Sequence, residues 1–503
     1  MTLCLAAGAR ADFASWPMLA RNAVHAGSAP ELAAMLSAPT WVASIDDLGA
    51  PIEFVGQSGP VVFEDLVYAL GESGGVDRLY AIDRVNGSVR FSVSVERPSL
   101  DSWSTPLVDE ANGAVVVASG DTARAFDART GAFRWGTELV LNVVNASPIV
   151  TTDLGPADRL FVTDSDGFFI QGGGRLYCIN VDAFDAASNP FDPGEIVWSV
   201  ALNGATSGNT PAYQDGVVFV SDAGDFNLAT PGRMRAFDAT ATTAPPPLWT
   251  FTNTIGAGFY SGVSVRDGFV YAASYTFDGG QNAANLVKLD ASDGSLVWSS
   301  PSNRTDSLPI VLSDGRVLLS AGLEGFGSLP SLQLFAPDGT RLWDTALATL
   351  DGGMFFNIGG WTHVPVVVET GIGSFAYAGA PPLSGGFFGP NTELHLVDLG
   401  RAPNEPGFVL ESYDSAGSTP AVADGVLYTI GATGLHAFGD FPGYAPEDVD
   451  RNCRVDIDDL HAWEAGTGVL DVNRDDVIDA QDRAALRAAL RESEVSDITG
   501  GSP

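Results

Sequence analysis

The chain has 503 residues, and 45% of them are apolar, which is enough for a buried core and far too much for a disordered chain. Its 62 acidic residues outnumber the 25 Lys and Arg and give a net charge of −37, so its electrostatic field repels nucleic-acid backbones and anionic lipid. The sequence therefore predicts no nucleic-acid partner, and it predicts no membrane span because no apolar stretch reaches the roughly 20 residues that a membrane helix needs.

The first eleven residues are typical of the end of a secretory signal. A short apolar run leads to Ala9-Arg10-Ala11, which fits a small-residue cleavage site. We expect residues 1–11 to be a signal remnant and the mature chain to begin near Asp12; an ordinary terminus without structure is the alternative. The protein is then expected to be secreted, periplasmic or on a bacterial cell surface. Three widely spaced cysteines predict neither a disulfide framework nor a thiolate metal site.

A sequence unit recurs along most of the chain. It opens with Ser/Asn-x-Pro, continues with an apolar run, Asp-Gly and a second apolar run, and ends with Ala-x-Asp-x-x-x-Gly and a Trp. Short alternating runs broken by Gly turns have the period of strands and not of helices. Eight units of four strands each predict a β-propeller in which every sheet packs on its two neighbours. The opening strands are marked by Pro60, Pro106, Pro148, Pro211, Val263, Pro309, Pro365 and Pro420.

The two ends of the repeat array complement each other. The eighth unit ends at Phe438 without a Trp strand, while an unpaired strand, residues 40–45, precedes the first unit. We therefore expect this N-terminal strand to complete the last blade and to close the ring, which removes the open sheet edges that favour aggregation.

The repeat resembles the pyrroloquinoline-quinone-type repeat of eight-bladed quinoprotein-like propellers, which share the Ala-x-Asp-x-x-x-Gly-x-x-x-Trp pattern. The resemblance implies an all-β, eight-bladed propeller over residues 12–439, with the tryptophans packed between blades. Phe91 replaces the Trp in the first unit and Glu411 in the seventh. The other matching positions are Trp135, Trp198, Trp249, Trp298 and Trp343.

The same resemblance raises the question of a cofactor. Relatives that oxidise alcohols or sugars hold the quinone on the ring axis with calcium, an Asp base and, in many, a disulfide between adjacent cysteines. Here no two cysteines adjoin, no Cys-x-x-Cys-His occurs, and no basic cluster can be assigned to the quinone carboxylates. We therefore expect a non-catalytic binding or scaffold propeller without the quinone. A quinone-dependent sugar or alcohol oxidoreductase and an envelope protein-assembly scaffold are the alternatives.

Aromatic side chains are concentrated in the long loops of one propeller face. Apolar rings among Gly, Asn, Ser and Asp suit a glycan or a protein segment, and surface loops are where binding sites are usually built. In the alternative interpretation, the rings pack beneath their own loops. The same loops also carry Phe226, Tyr275, Phe277 and Phe326. The predicted ligand-binding residues are Trp103, Phe168, Phe169, Phe259, Tyr260, Phe355, Phe356, Trp361, Phe387 and Phe388.

Two acidic segments, residues 448–459 and 471–482, follow a linker at residues 440–447. Each places oxygen atoms at loop positions 1, 3, 5, 9 and 12, with a backbone carbonyl at position 7, which is the spacing that wraps one calcium ion. Position 6 holds Cys453 and Asp476 in place of the usual Gly, so we expect the first site to be weaker. The predicted calcium ligands are Asp448, Asp450, Asn452, Arg454, Asp456, Asp459, Asp471, Asn473, Asp475, Val477, Asp479 and Asp482.

Each acidic segment runs into a helical pattern, and this loop-then-helix duplication resembles a dockerin module. The resemblance implies a calcium-dependent module over residues 448–492, with EF-hand-like loops and a cohesin-like protein partner, followed by a flexible tail at residues 493–503. A C-terminal cap without a partner is the alternative. We therefore expect an exported scaffold propeller that carries a docking module, with a role in polysaccharide-related extracellular assemblies.

Overall fold

A computed structural model describes the chain apart from several short segments and parts of both termini. The residues outside the description are 1–12, 97–103, 156, 166–172, 203, 205, 225–229, 325–326, 349–356, 382–388, 442–456, 467–471, 473–479 and 489–503. The chain divides into two compact units, residues 15–439 and residues 1–14 with 440–503. Each unit is described by itself.

Within the described residues, the strands of the larger unit form eight sheets in ring order. Three short strands come first in the chain, β1 (Ser28–Ala29), β2 (Trp41–Ala43) and β3 (Glu53–Phe54), and β3 pairs antiparallel with the second strand of blade 1. Blade 1 contains β4 (Val61–Phe63), β5 (Leu66–Ser73), β6 (Val76–Asp83) and β7 (Val89–Ser94). Blade 2 contains β8 (Leu107–Asp109), β9 (Ala114–Asp127) and β10 (Phe133–Val143). Blade 3 contains β11 (Ile149–Val150), β12 (Arg159–Thr163), β13 (Arg175–Asn180) and β14 (Ile196–Ala201).

The next three blades repeat the four-stranded antiparallel pattern. Blade 4 contains β15 (Ala212–Gln214), β16 (Val217–Asp222), β17 (Arg233–Asp238) and β18 (Trp249–Thr252). Blade 5 contains β19 (Ser264–Arg266), β20 (Phe269–Ala273), β21 (Ala284–Asp290) and β22 (Leu296–Ser302). Blade 6 contains β23 (Ile310–Val311), β24 (Val317–Ala321), β25 (Ser331–Phe335) and β26 (Arg341–Asp344), followed by the 3-10 helix Thr345–Leu347.

The last two blades each incorporate a strand from the start of the chain. Blade 7 contains β27 (Val366–Thr370), β28 (Gly373–Ala380), β29 (Glu393–Asp398) and β30 (Val409–Asp414), and β1 pairs with β27 in parallel. Blade 8 contains β31 (Ala421–Ala423), β32 (Val426–Gly431) and β33 (Gly434–Phe438), with β2 antiparallel to β33 as the outermost strand. The predicted all-β, eight-bladed propeller, closed by its N-terminal strand, is therefore confirmed.

Burial explains the strand patterns in the sequence. Central strands of a blade, such as β12 and β25, are buried at every residue because neighbouring blades cover both of their faces, whereas the outermost strand β30 alternates between more and less buried residues. Asp-Gly pairs join the first two strands of blades 4, 5 and 8, and both residues of each pair have positive φ. This conformation matches a type I′ hairpin, in which Asp-Gly is favoured.

The repeat's Gly and Trp meet between neighbouring blades. A Cβ at Gly294 of blade 5 would lie 2.5 Å from the ring of Trp249 in blade 4, and Trp249 donates its indole N–H to Ala291 O at 2.9 Å. The pair recurs as Gly339 against Trp298, Gly194 against Trp135 and Gly87 against Trp41. The indole therefore lies flat on the next blade's turn only because that turn has no side chain at the glycine.

The segment ahead of the ring lies across its inner strands. Trp16 exchanges two backbone hydrogen bonds with Val62 of blade 1, each 2.9 Å long. The innermost strands of four other blades donate further backbone N–H groups to carbonyl oxygens of this segment. These bonds are Val108 N to Pro17 O, Tyr213 N to Ala23 O, Val265 N to Val24 O and Val367 N to Gly27 O. One stretch of backbone thus ties five of the blades together before the closing strand is reached.

The smaller unit contains two helical segments among its described residues, α1 (Ile457–Glu464) and residues 480–488. Val472 and Leu486 are buried and pack with the partly buried Leu460 and Trp463. Arg483 forms an ion pair with Glu464 of α1. In the described part of the chain, no helix has both the length and the apolar character needed to cross a bilayer.

Candidate functional site

The loops that lead into the innermost strands surround a small cavity at the ring axis. Seven of the eight repeats contribute a lining residue that stands three or one positions before the opening residue of the repeat, and Leu19 of the N-terminal segment also lies against the cavity. The cavity has a volume of about 20 Å³, which is room for one or two water molecules. The lining residues are Leu19, Gln57, Thr105, Asn145, Ser147, Gly208, Thr210, Asp306, Leu308, Thr362, Val364 and Thr419.

A series of hydroxyl groups links neighbouring blades around this cavity. Each hydroxyl stands one residue before the Pro and accepts a hydrogen bond from a backbone N–H of the preceding blade. The bonds are Gly59 N to Thr105 Oγ1 at 3.0 Å, Thr105 N to Ser147 Oγ at 2.9 Å, Ser147 N to Thr210 Oγ1 at 3.0 Å and Val364 N to Thr419 Oγ1 at 3.1 Å. The Ser/Asn-x-Pro motif therefore holds the blades to each other at the axis.

Blade 1 and the three consecutive blades 5, 6 and 7 lack a hydroxyl at this position, which is occupied by Gly59, Gly262, Leu308 and Val364. On this side of the axis, Asp306 precedes the inner strand of blade 6. Its side chain is buried, its backbone N–H donates to Trp361 O at 2.7 Å, and its Oδ1 has no hydrogen-bond partner among the described residues. Burial raises the pKa of Asp306 to about 8.

A second unpartnered oxygen lines the same cavity from blade 3. Asn145 is 3% exposed and donates its side-chain amide to Ser207 Oγ at 2.7 Å, while its Oδ1 has no partner in the described structure. Nearby, Thr362 donates to Gln57 Oε1, and Gln57 donates to Gly389 O. The cavity wall therefore presents acceptor oxygens that have no protein donor.

Four aromatic rings form a cluster beside Asp306. Tyr275 stands at its centre, with ring centroids 5.6 Å from Tyr260, 5.0 Å from Phe277 and 6.2 Å from Trp361. Tyr260 and Tyr275 are buried, while Phe277 and Trp361 are half-buried. Burial and the nearby Asp306 carboxyl raise the pKa of Tyr275 to about 12. We call these four residues the aromatic cluster.

A buried guanidinium packs against the central ring of the aromatic cluster. Arg304 is 1% exposed, and its Cζ lies 5.8 Å from the Tyr275 ring centroid. It donates to Phe277 O at 3.1 Å and to Gly279 O at 2.6 Å, which fixes the loop between the second and third strands of blade 5. Arg304 therefore orders the loop that carries two of the four rings.

Of the predicted ligand-binding residues, the structure brings together Tyr260 and Trp361. Phe259 is fully buried and packs instead in the core between blades 4 and 5. The other predicted ligand-binding residues, Trp103, Phe168, Phe169, Phe355, Phe356, Phe387 and Phe388, lie outside the described residues. A ligand on this face therefore stays a prediction.

The predicted calcium ligands fall mostly outside the described residues. Asp459 lies in α1, and Asp482 is fully buried in the helical segment 480–488. The remaining ten are Asp448, Asp450, Asn452, Arg454, Asp456, Asp471, Asn473, Asp475, Val477 and Asp479. Calcium binding is therefore still an expectation from the sequence.

Sequence reasoning missed the axial residues Gln57, Asn145, Asp306 and Thr362. A signal for them exists, because each stands three residues before the Pro that opens its repeat. When the first residues of the eight repeats are aligned, this position lines the axial cavity in several blades, and Asp306 is its single carboxylate.

The repeats, the ring and its closure can now be compared with known proteins. A protein-family model of PQQ-like repeats, described as the outer membrane protein assembly factor BamB, matches residues 37–183 and 230–355, which is more than half of the chain. The chain belongs to this BamB family. A search of curated protein sequences found no match.

Solved structures with the fold of this BamB-family chain include a BamB protein and dehydrogenases. BamB from Moraxella catarrhalis is 17% identical, with a TM-score of 0.50 over 78% of this chain and 98% of that one. A europium-containing methanol dehydrogenase is 14% identical, with a TM-score of 0.58 over 83% of this chain and 89% of that one. The quinohemoprotein alcohol dehydrogenase from Comamonas testosteroni is 12% identical, with a TM-score of 0.55 over 89% and 85%. At these identities the likeness shows the fold alone.

The quinone that such dehydrogenases carry does not fit the described axial residues. A quinone with carboxylate groups needs cations around it, whereas the described lining of the cavity contains no Lys, Arg or His and does contain the Asp306 carboxyl. The space of about 20 Å³ is also far below the roughly 300 Å³ at which ligand pockets begin.

Proposed function

We propose that this BamB-family chain is an exported, non-catalytic propeller that binds a protein segment on its loop face. The observation that carries this proposal is the aromatic cluster, in which Arg304 orders the loop of Tyr275 and Phe277, beside an axis whose described residues do not suit a quinone. Half-buried Trp361 and Phe277 give such a site an apolar anchor, and aromatic anchors dominate protein recognition. The family's description as an assembly factor favours a protein over a glycan.

The proposal is tested by probing peptide and glycan arrays with the labelled full-length protein. We expect peptides to be retained and Trp361→Ala to weaken their binding roughly tenfold or more. The matched control is Phe133→Ala, which removes a ring that is 63% exposed on the outermost strand of blade 2 and should leave binding unchanged. Binding to glycans alone, equal loss in both variants or no binding would contradict the proposal.

A quinone-dependent oxidoreductase is the alternative from another class. It is tested by mixing the purified protein with pyrroloquinoline quinone and calcium and recording the absorption spectrum after removal of free quinone. We expect no stoichiometric chromophore, because the described axial residues offer carboxyl and amide oxygens and no cation. A retained chromophore with alcohol-dependent bleaching would establish the oxidoreductase instead.

We also propose that residues 448–492 bind calcium and dock to a cohesin-like partner. The acidic spacing of the sequence supports this proposal, together with two helical segments that pack through Leu460, Val472 and Leu486 in a unit of their own. An envelope-assembly scaffold, the other alternative, would use the ring face and not this unit.

Chelation of calcium in the full-length protein tests the C-terminal module. With EDTA, we expect loss of the helical circular-dichroism signal and rapid proteolysis within residues 440–503, because calcium binding supplies folding free energy. The ring should stay protease-resistant and serves as the internal control. An unchanged helical signal and unchanged resistance of the C-terminal unit would contradict calcium binding there.

A further inference from the structure

We propose that the axial cavity binds one monovalent cation of about the size of a water molecule, held by the side-chain oxygens of Asp306 and Asn145. The site lies where blades 3 and 6 approach the axis from different sides of the ring. It is independent of the loop-face function proposed above.

Two buried acceptor oxygens carry this inference. The side chains of Asp306 and Asn145 are 7% and 3% exposed, and both Oδ1 atoms lack a hydrogen-bond partner in the described structure although both residues line the same cavity. Buried polar atoms are nearly always paired, because leaving one unpaired costs about 1–3 kcal/mol. The two oxygens therefore require a donor or a cation inside the cavity.

The charge of the site favours a cation over a water molecule. Asp306 has no ion pair within the described structure, and the nearby Arg304 directs its N–H groups to Phe277 O and Gly279 O. A bound cation would supply the missing countercharge, and a net charge of −37 concentrates cations around the molecule. Burial raises the pKa of Asp306 to about 8, so the carboxylate that would hold the cation forms at slightly alkaline pH.

The size and ligand set of the cavity favour one positive charge over two. Calcium takes six to eight oxygens, typically from several carboxylates, whereas Asp306 is the single carboxyl group in the described lining. No cluster of three or more His, Cys, Asp or Glu able to hold a metal occurs among the described residues. Sodium or potassium, coordinated by one carboxylate, one amide oxygen and water, fits these limits.

The test measures the thermal unfolding of the full-length protein at slightly alkaline pH in chloride salts of equal ionic strength. We expect sodium or potassium to raise the unfolding midpoint by a few degrees over choline in a saturable way, because an ion that binds only the folded state stabilises it. Asp306→Asn and Asn145→Ala should each remove this ion-specific rise. Asp267→Asn, which neutralises a side chain 76% exposed at a hairpin of blade 5, should retain it.

Sodium-23 NMR gives a second readout that does not depend on stability. The resonance should broaden with the wild-type protein and with Asp267→Asn, and should broaden less with Asp306→Asn. Equal midpoints in sodium, potassium and choline, or ion effects that survive Asp306→Asn, would show that water alone fills the cavity and would overturn the proposal.

Discussion

Single residues set the spacing between blades. Gly294 has a φ of +72° and faces the indole of Trp249, so this position serves two purposes: it allows the left-handed turn and it clears space for the ring. The recurrence of Gly against Trp in other blades shows why the repeat keeps these two residues at a fixed separation. The contact is made between neighbouring units, so each repeat needs the next one to bury its Trp.

The two purposes of Gly294 can be separated by substitution. Gly294→Ala should lower the free energy of unfolding by about 3 kcal/mol or more, because its Cβ would lie 2.5 Å from the Trp249 ring as well as at positive φ. Gly268→Ala is the matched control, since its φ is +78° but its Cβ would meet nothing within 4 Å; it should cost about 1–2 kcal/mol.

Urea unfolding of both variants and of the wild type measures these costs. Equal losses for Gly294→Ala and Gly268→Ala would show that backbone strain alone matters and that the Trp contact contributes nothing.

The axial residues show where residue-level prediction from the sequence fails. Asp306 stands in a loop between strands, and its place three residues before the opening Pro marks it as axial only when all eight repeats are aligned. Its environment arises from Asn145, Thr362 and other residues that are far apart in sequence and meet only when the blades close. The buried Trp positions were predictable because each is repeated, whereas Asp306 occurs once.

At the scale of elements, the first and last strands of the ring form its seam. Strand β2 completes blade 8, and Trp41 donates its indole N–H to Arg84 O of blade 1 at 2.9 Å. Arg84 is 1% exposed and reaches across to blade 8, where it contacts Asp424 Oδ2 at 3.0 Å, Tyr428 OH at 2.8 Å and Ala423 O at 3.0 Å. One guanidinium thus joins the two blades that close the circle.

Glu411 stands at the Trp position of blade 7 and binds the N-terminal segment there. Its carboxylate Oε2 accepts a hydrogen bond from Leu36 N at 2.8 Å, and Tyr377 OH of the same blade accepts one from Ala33 N at 3.0 Å. Both bonds hold the stretch that runs from β1 of blade 7 to β2 of blade 8. The carboxylate therefore anchors the closing segment at the position where other blades carry an aromatic ring.

The seam gives a prediction at this scale. Arg84→Met should lower the free energy of unfolding by about 3 kcal/mol, because it leaves several buried acceptors without a donor. Arg129→Met is the matched control: Arg129 pairs with Glu64 at 2.7 Å in blade 1, but its side chain is 46% exposed, so the loss should stay below about 1 kcal/mol.

Thermal unfolding and limited proteolysis compare the two arginine variants. A loss for Arg84→Met no larger than that for Arg129→Met would mean that the seam does not limit the stability of the ring.

The sequence predicts the elements well where the pattern repeats, and less well where it does not. The blade count, the hairpin turns and the closing strand followed from Asp-Gly pairs, from Gly–Trp spacing and from the incomplete eighth unit. In blade 2, β9 covers the positions of two strands: Gly120 has positive φ, and Ala128 N donates to Gly113 O as Ala291 N does to Gly268 O in blade 5. The course of residues 15–29 over the innermost strands did not follow from the sequence, since its partners exist only in the closed ring.

At the scale of the whole molecule, buried titratable groups make stability depend on pH in opposite directions. Burial lowers the pKa of His25 to about 4 and that of His363 to about 3, whereas it raises the pKa of Asp306 to about 8. Below about pH 6.5 these histidines bind protons in the unfolded chain but stay neutral in the folded one, so acid destabilises the ring. Between about pH 4 and 8 the folded Asp306 keeps a proton that the unfolded chain releases, so rising pH destabilises it.

These opposite signs predict distinct effects of two substitutions. His363→Gln should flatten the fall in stability between about pH 6.5 and 3, and Asp306→Asn should flatten the fall between about pH 4 and 8. Each unmatched proton changes the free energy of unfolding by about 1.4 kcal/mol per pH unit, so the difference from wild type should grow steadily across each range. Unfolding midpoints at a series of pH values in choline chloride measure both, and a constant offset between variant and wild type would show that the buried group does not titrate with folding. The many surface carboxylates protonate in the same pH range, and the loss of their mutual repulsion raises the stability of all three proteins on acidification. Because this effect is common to the variants and the wild type, comparing them at each pH cancels it.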